Sequence, residues 1–153
     1  MGTGSRWSSK AWSKSKLVEF IKKINDYNVI LFAGPEEAGS QRELVETLKD
    51  SGIKVYTNDP NNTVKEFISL VNVCDIMVVN DSFALHDAVA LKKKTIALFF
   101  CTPDWEIESY DLVKKIVSPL LSKYFYTDEY NEELVNSISA DEVYEALKTF
   151  LNN

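Results

Sequence analysis

Three unbroken apolar runs constrain this chain more than any other feature: residues 29–33 (VILFA), 76–79 (IMVV) and 95–99 (TIALF). A strand with one wet face alternates polar and apolar side chains. A continuous run of this length instead suits a strand buried on both faces, as in parallel sheets. The segments between the runs have helical spacing. Leu17, Val18, Phe20, Ile21 and Ile24 form an apolar stripe behind Ser13, which suits an N-cap. A second helix is expected over about residues 40–49, closed by Ser51-Gly52. Thr63 and Glu66 make a capping box for a helix through Val73, and Asp81-Ser82 caps another that runs to about Leu91. Ser139 with Glu142 opens a closing helix carrying Val143, Ala146, Leu147, Phe150 and Leu151. Shorter strands are expected at residues 53–56 and 115–117.

Strands alternating with helices build βαβ units with right-handed crossovers. The expected fold is α/β, a Rossmann-like, mostly parallel sheet with helices on both faces, in one domain over residues 1–153. Such a domain usually opens with a strand. Met1-Gly2-Thr3-Gly4-Ser5 leaves room for the last residues of one at most, so the chain reads as a piece of something longer.

The 153 residues carry a net charge of −6, which disfavours nonspecific nucleic-acid binding because phosphate contacts need clustered Lys and Arg. Any phosphate must be held locally. Cys74 and Cys101 stand in apolar surroundings outside any Cys-x-x-Cys pattern, so buried reduced thiols are expected, as in a cytoplasmic setting, and no zinc site. The longest apolar run is far too short to span a bilayer, which restricts membrane association to the peripheral kind. GxGxxG, GxxxxGK[ST], HExxH and GxSxG patterns are all missing.

In doubly wound sheets ligands bind beyond the carboxyl ends of the strands. Residues 34–37, 80–83 and 100–105 therefore matter most. The Asn80-Asp81-Ser82-Phe83 turn enters a helix whose first N–H groups suit a pyrophosphate, and His86 falls one turn in. The plainer alternative is a simple cap with a surface histidine. Lys10 is a point charge for a phosphate or a solvated lysine; Glu36 and Glu37 accept ribose hydroxyls or are exposed loop acids. Trp12 and Trp105 stack on a base or pack.

Taken in order, these segments resemble glycosyltransferase family 9, the heptosyltransferases. SRWSSKAW (residues 5–12) is similar to the family's hydroxyl-rich loop ending in Lys-x-Trp. LFAGPEE (31–37) resembles its strand followed by Gly-x-x-Glu, and VNDSFALHDAVALKKKTIALFFCTP (79–103) its D-[ST]-G-x-x-H signature followed by a strand and a G-P-T loop. The resemblance implies one half of a B-type glycosyltransferase: a donor domain that binds a nucleoside-diphosphate sugar such as ADP-heptose, without metal or other cofactor. Transfer to lipopolysaccharide or a related glycan or glycolipid acceptor then needs an N-terminal acceptor domain. That domain supplies the catalytic base and is absent here, so the chain alone should not turn over. The setting implied is the cytoplasm, at the inner face of the cytoplasmic membrane. By matching positions Lys10 holds phosphate, Ser5 and Ser82 donate hydroxyl hydrogen bonds, Glu36 meets the nucleoside and Asp81 the sugar. The helix start at Ser82 and Phe83, with His86, faces the pyrophosphate. Phe83 and Phe100 stand where the family has glycine, and both are expected to crowd the diphosphate. A degenerate, non-catalytic binding or assembly domain is the alternative. A nucleotide-sugar hydrolase or epimerase is a weaker one.

Overall fold

The computed structural model describes residues 1–3, 8–108 and 110–152. Its regular elements follow the βα alternation: α1 (Lys14–Lys23), β1 (Ile30–Leu31), α2 (Ala38–Asp50), β2 (Tyr56–Thr57), α3 (Val64–Val73), β3 (Ile76–Asn80), α4 (Phe83–Ala90), β4 (Lys94–Phe99), β5 (Val113–Val117), α5 (Glu132–Val135) and α6 (Ala140–Leu151). The helix starts are set by the side chains their sequence suggested. Ser13 accepts from the Lys16 N–H, and Thr63–Glu66 and Ser139–Glu142 are complete capping boxes.

All strand pairs among the described residues are parallel: β1 with β2, β3 with β4, and β4 with β5. The two pieces are joined by the first three residues. Gly2 bridges Phe32 in parallel, its N–H donates to the Val78 carbonyl, and the Phe32 N–H donates to the Met1 carbonyl. Residues 1–3 thus lie between β1 and β3 as the short first strand that the sequence left room for. Counting that segment as first, the sheet runs in the 3-2-1-4-5-6 order of doubly wound domains. Gly2 suits this place because a Cβ there would stand 3.2 Å from Val79 Cγ1.

Burial parity along the strands sorts the core into two layers. Val29, Leu31, Val78, Ile96, Leu98 and Phe100 face α1, α2 and α6. Phe32, Met77, Val79, Ala97 and Phe99 face α3 and α4. The sheet is therefore covered on both sides, which explains the unbroken apolar runs.

Two strands differ from expectation. β2 begins at Tyr56, not at residue 53, because the Ile53 N–H is used to close α2 on the Leu48 carbonyl. β5 starts two residues earlier than expected, at Val113, paired with Thr95. Cys101 is buried as expected, whereas Cys74 is only half-buried at the end of α3; burial pushes both thiols up. No helix among the described residues is long and apolar enough to cross a membrane.

Candidate functional site

The winding direction reverses between the 1–3 segment and β3, and the reversal leaves a crevice beyond the strand ends. A cavity of about 570 Å³ occupies it. Its polar lining is Lys10, Glu37, Asp81, Ser82 and His86. Its apolar lining includes Phe32, Pro60, Val64, Phe67 and Phe83.

Asp81 organises the polar lining. Its Oδ2 accepts from Lys10 Nζ at 2.6 Å and from Thr102 Oγ1 at 2.7 Å. It therefore does not cap α4. Ser82 occupies the N-cap position, but its hydroxyl turns back to the Asn80 carbonyl at 3.1 Å, and among the described residues no side-chain bond caps the helix. The expected Asp81-Ser82 cap is thus replaced by an open helix start. The first N–H groups of a helix have no intrahelical acceptor, and they carry the positive end of its dipole. Ser82, Phe83 and Ala84 bring that end to the cavity wall. His86 is exposed on the same wall, one turn along.

Lys10 ends a short 3-10 turn, Ser8–Lys10, that is tied down from several directions. The buried Ser9 hydroxyl donates to the Thr127 carbonyl at 2.7 Å, and Asn80 Oδ1 accepts from the Trp12 N–H at 3.3 Å. Trp12 itself is a packing residue. It is buried, its indole N–H donates to the Ile138 carbonyl, and its ring leans on Phe20. Ser5 lies outside the described residues.

The loop after β1 corrects one expectation. Glu36 is exposed and does not line the cavity; Glu37 does. Glu37 Oε2 accepts from the Gly34 N–H at 2.9 Å, in a turn where a Cβ on residue 34 would meet that oxygen. Glu37, not Glu36, stands three residues after Gly34, so the Gly-x-x-Glu spacing fits Glu37 better than the Glu36 to which the resemblance assigned the role. Asn58 anchors this loop from beneath. Its buried amide accepts from the Ala33 N–H at 2.9 Å and donates to the Ala33 carbonyl at 3.0 Å.

The two phenylalanines behave differently. Phe100 continues the parity of Ile96 and Leu98 into the core, is 1% exposed and does not reach the cavity, so the crowding expected there does not arise. Phe83 does line the cavity and is 54% exposed. Its ring leans against Phe67 at 5.7 Å between centroids, and Phe67 meets Phe32 edge-on at 5.3 Å. Thr102, Asn58 and Phe67 are the residues that motif reading passed over. Thr102 stood in the Cys101-Thr102-Pro103 stretch singled out as a loop, but its partner is 21 residues away.

The glycosyltransferase family 9 (heptosyltransferase) profile matches residues 2–130, most of the chain. The chain belongs to that family. Over 118 residues this family 9 domain is 28% identical to "lipooligosaccharide heptosyltransferase 2" of Campylobacter jejuni subsp. jejuni serotype O:2, an alignment covering 73% of the chain and 36% of the relative. It superposes on E. coli ADP-heptose lps heptosyltransferase II with a TM-score of 0.76 at 22% identity, over 98% of this chain and 45% of that one. The E. coli heptosyltransferase WaaC with ADP gives a TM-score of 0.74 at 16% identity, over 96% and 42% respectively. The family 9 domain described here therefore spans about a third of the curated relative's length and under half of these solved chains.

Proposed function

We propose that this chain is the donor-binding domain of a heptosyltransferase-like glycosyltransferase, and that the cavity takes a nucleoside-diphosphate sugar. The observation carrying this reading is the open start of α4 at the sheet's switch point, beside Lys10, in a cavity that also carries an apolar lining. Each part of such a ligand has a matching surface. The base lies along Phe67, Val64 and Pro60. Glu37 accepts ribose hydroxyls. The diphosphate rests on the N–H groups of Phe83 and Ala84, with Lys10 beside it. Asp81, already oriented by Lys10 and Thr102, accepts hydroxyls of the sugar.

In glycosyl transfer the departing nucleoside diphosphate gains negative charge as the sugar C–O bond breaks. Donors that already point at that oxygen stabilise the charge without reorganising. The α4 start and the Lys10 ammonium are such donors, and the reading keeps the metal-independent chemistry the resemblance implied. The base that deprotonates the acceptor is assigned to a further domain, with lipopolysaccharide or a related glycolipid as acceptor at the inner membrane face.

Titration with ADP, UDP and GDP, followed by thermal unfolding, tests the donor assignment. A nucleotide at a hundred times its Kd adds about 2.7 kcal/mol, or roughly 5–10 °C in Tm for a domain of this size. A shift with one of them that is lost in Lys10→Ala is the expected result. Absence of a shift with all three overturns the reading.

One observation favours a second reading, a degenerate binding or assembly domain: the Phe83 ring stands on the cavity wall where the family signature has glycine. The same titration decides between the two.

A further inference from the structure

The loops that follow β4 and β5 carry an aromatic surface which the donor reading does not use. Trp105 is 69% exposed and stacks on Phe125, with 6.3 Å between centroids and 25° between planes. Phe125 meets Tyr126 edge-on at 4.6 Å. The Tyr126 hydroxyl donates to Glu106 Oε1 at 3.0 Å. Three ring systems thus form one exposed cluster with a carboxylate at its rim.

The cluster is held in place and sits beside the cavity. The Tyr126 N–H donates to the Cys101 carbonyl at 2.8 Å, next to Thr102, which holds Asp81. Tyr126 takes a left-handed φ of 54°, a conformation that costs energy for a bulky residue and survives only where neighbours impose it. The hydrogen bond to the Glu106 carboxylate raises the Tyr126 phenol pKa first and burial second.

Charge narrows the choice of occupant. Residues 104–111 carry Asp104, Glu106, Glu108 and Asp111, and residues 124–133 carry Asp128, Glu129, Glu132 and Glu133, with no Lys or Arg in either segment; Lys115 pairs with Asp104 and Lys123 with Glu133, which leaves the rim acidic on balance. Such a rim repels anionic lipid headgroups and phosphates. It matches a neutral polyol, whose hydroxyls donate to carboxylates while its polarised C–H face lies on the electron-rich faces of the rings.

We propose that Trp105, Phe125 and Tyr126 form a platform for an uncharged pyranose ring of the acceptor glycan, beside the donor cavity. This rests on the donor reading for which sugar meets it, and on the ring cluster for where.

The test follows the Trp105 indole N–H by NMR in the 15N-labelled chain. Methyl α-D-mannopyranoside, methyl α-D-glucopyranoside and lactose are titrated to about 100 mM, since a single stacked sugar binds in the millimolar range. A saturable shift with at least one glycoside is expected, weakened by about tenfold in Phe125→Ala. No saturable shift with any of the three overturns the proposal. So does an unchanged affinity in Phe125→Ala, or a response to phosphatidylglycerol vesicles in place of the glycosides. Because Trp105 and Phe125 are surface residues, Trp105→Ala and Phe125→Ala should fold, and circular dichroism checks this. In parallel, ADP is titrated against Trp105→Ala. If ADP binds and glycosides do not, the platform alone falls. If glycosides bind and no nucleotide does, the donor reading falls and the sugar platform stands.

Discussion

Lys10 Nζ lies 2.6 Å from Asp81 Oδ2, although 71 positions separate the two residues. Both side chains are 18% exposed, so the pair lies between the freely solvated and the buried regimes. It joins the loop that precedes α1 to the turn that opens α4. Lys10→Met should cost about 1–3 kcal/mol, above the value of a surface pair and below that of a buried one. Asp81→Asn should cost less, because it keeps an acceptor for Thr102. Urea unfolding measures both. If Lys10 also holds phosphate, Lys10→Met additionally weakens ADP binding, and an unaltered Kd would leave the ion pair a purely structural role.

Phe83 and Phe100 call for opposite outcomes from similar substitutions. Phe100 is fully packed, so Phe100→Ala removes buried area and leaves a cavity, at about 3–5 kcal/mol. Phe83→Ala, at a half-exposed helix start, should cost no more than about 1 kcal/mol. Phe83→Gly restores the family pattern and clears the approach to the α4 N–H groups. Calorimetric titration should then show tighter ADP binding. Weaker binding would mean that the ring is itself part of the nucleotide's wall.

Asn58 supports the Gly34–Glu37 turn from the core side. Asn58→Ala strands the N–H and carbonyl of Ala33, at about 1–3 kcal/mol. Asn58→Asp should be no better, since a carboxylate cannot donate to the Ala33 carbonyl. Chemical denaturation gives the stability loss, and hydrogen exchange should show faster opening at residues 33–37 than elsewhere in the sheet.

Asp87, on α4, has a carboxylate oxygen that is buried without a partner among the described residues. Burial raises its pKa above the ordinary 3.8, with His86 pulling the other way. The folded state therefore holds this proton more tightly than the unfolded one. Stability from this group is full below the unfolded pKa and is lost as pH rises through the folded one. Asp87→Asn removes that dependence. Its Tm should exceed the parent's near neutral pH, and the gap should shrink towards pH 3 in melts followed by circular dichroism. A gap that stays constant with pH contradicts this account.

Much of the fold was legible because its causes are local. Ser13, Thr63 and Ser139 each cap a helix by bonds that reach three residues, and such bonds can be read from spacing. Burial on both faces explains the apolar runs, and their period-2 parity even predicts that Phe100 turns inward with Ile96 and Leu98. Parity was the better guide there than analogy with a glycine loop. Glu37 was likewise readable from its distance to Gly34, while Glu36 points to solvent.

The sequence by itself determined the alternation of strands and helices, the helix starts and the family signature, since these depend on neighbours along the chain. Tertiary structure alone decided what meets what. It placed residues 1–3 between β1 and β3, which creates the switch point. It brought Lys10, Asp81 and Thr102 to one carboxylate oxygen, turned the Ser82 hydroxyl away from α4, and set Trp105 on Phe125 beside them. Those contacts join segments distant in sequence. Their geometry follows from sheet order and register, which only the assembled layers fix.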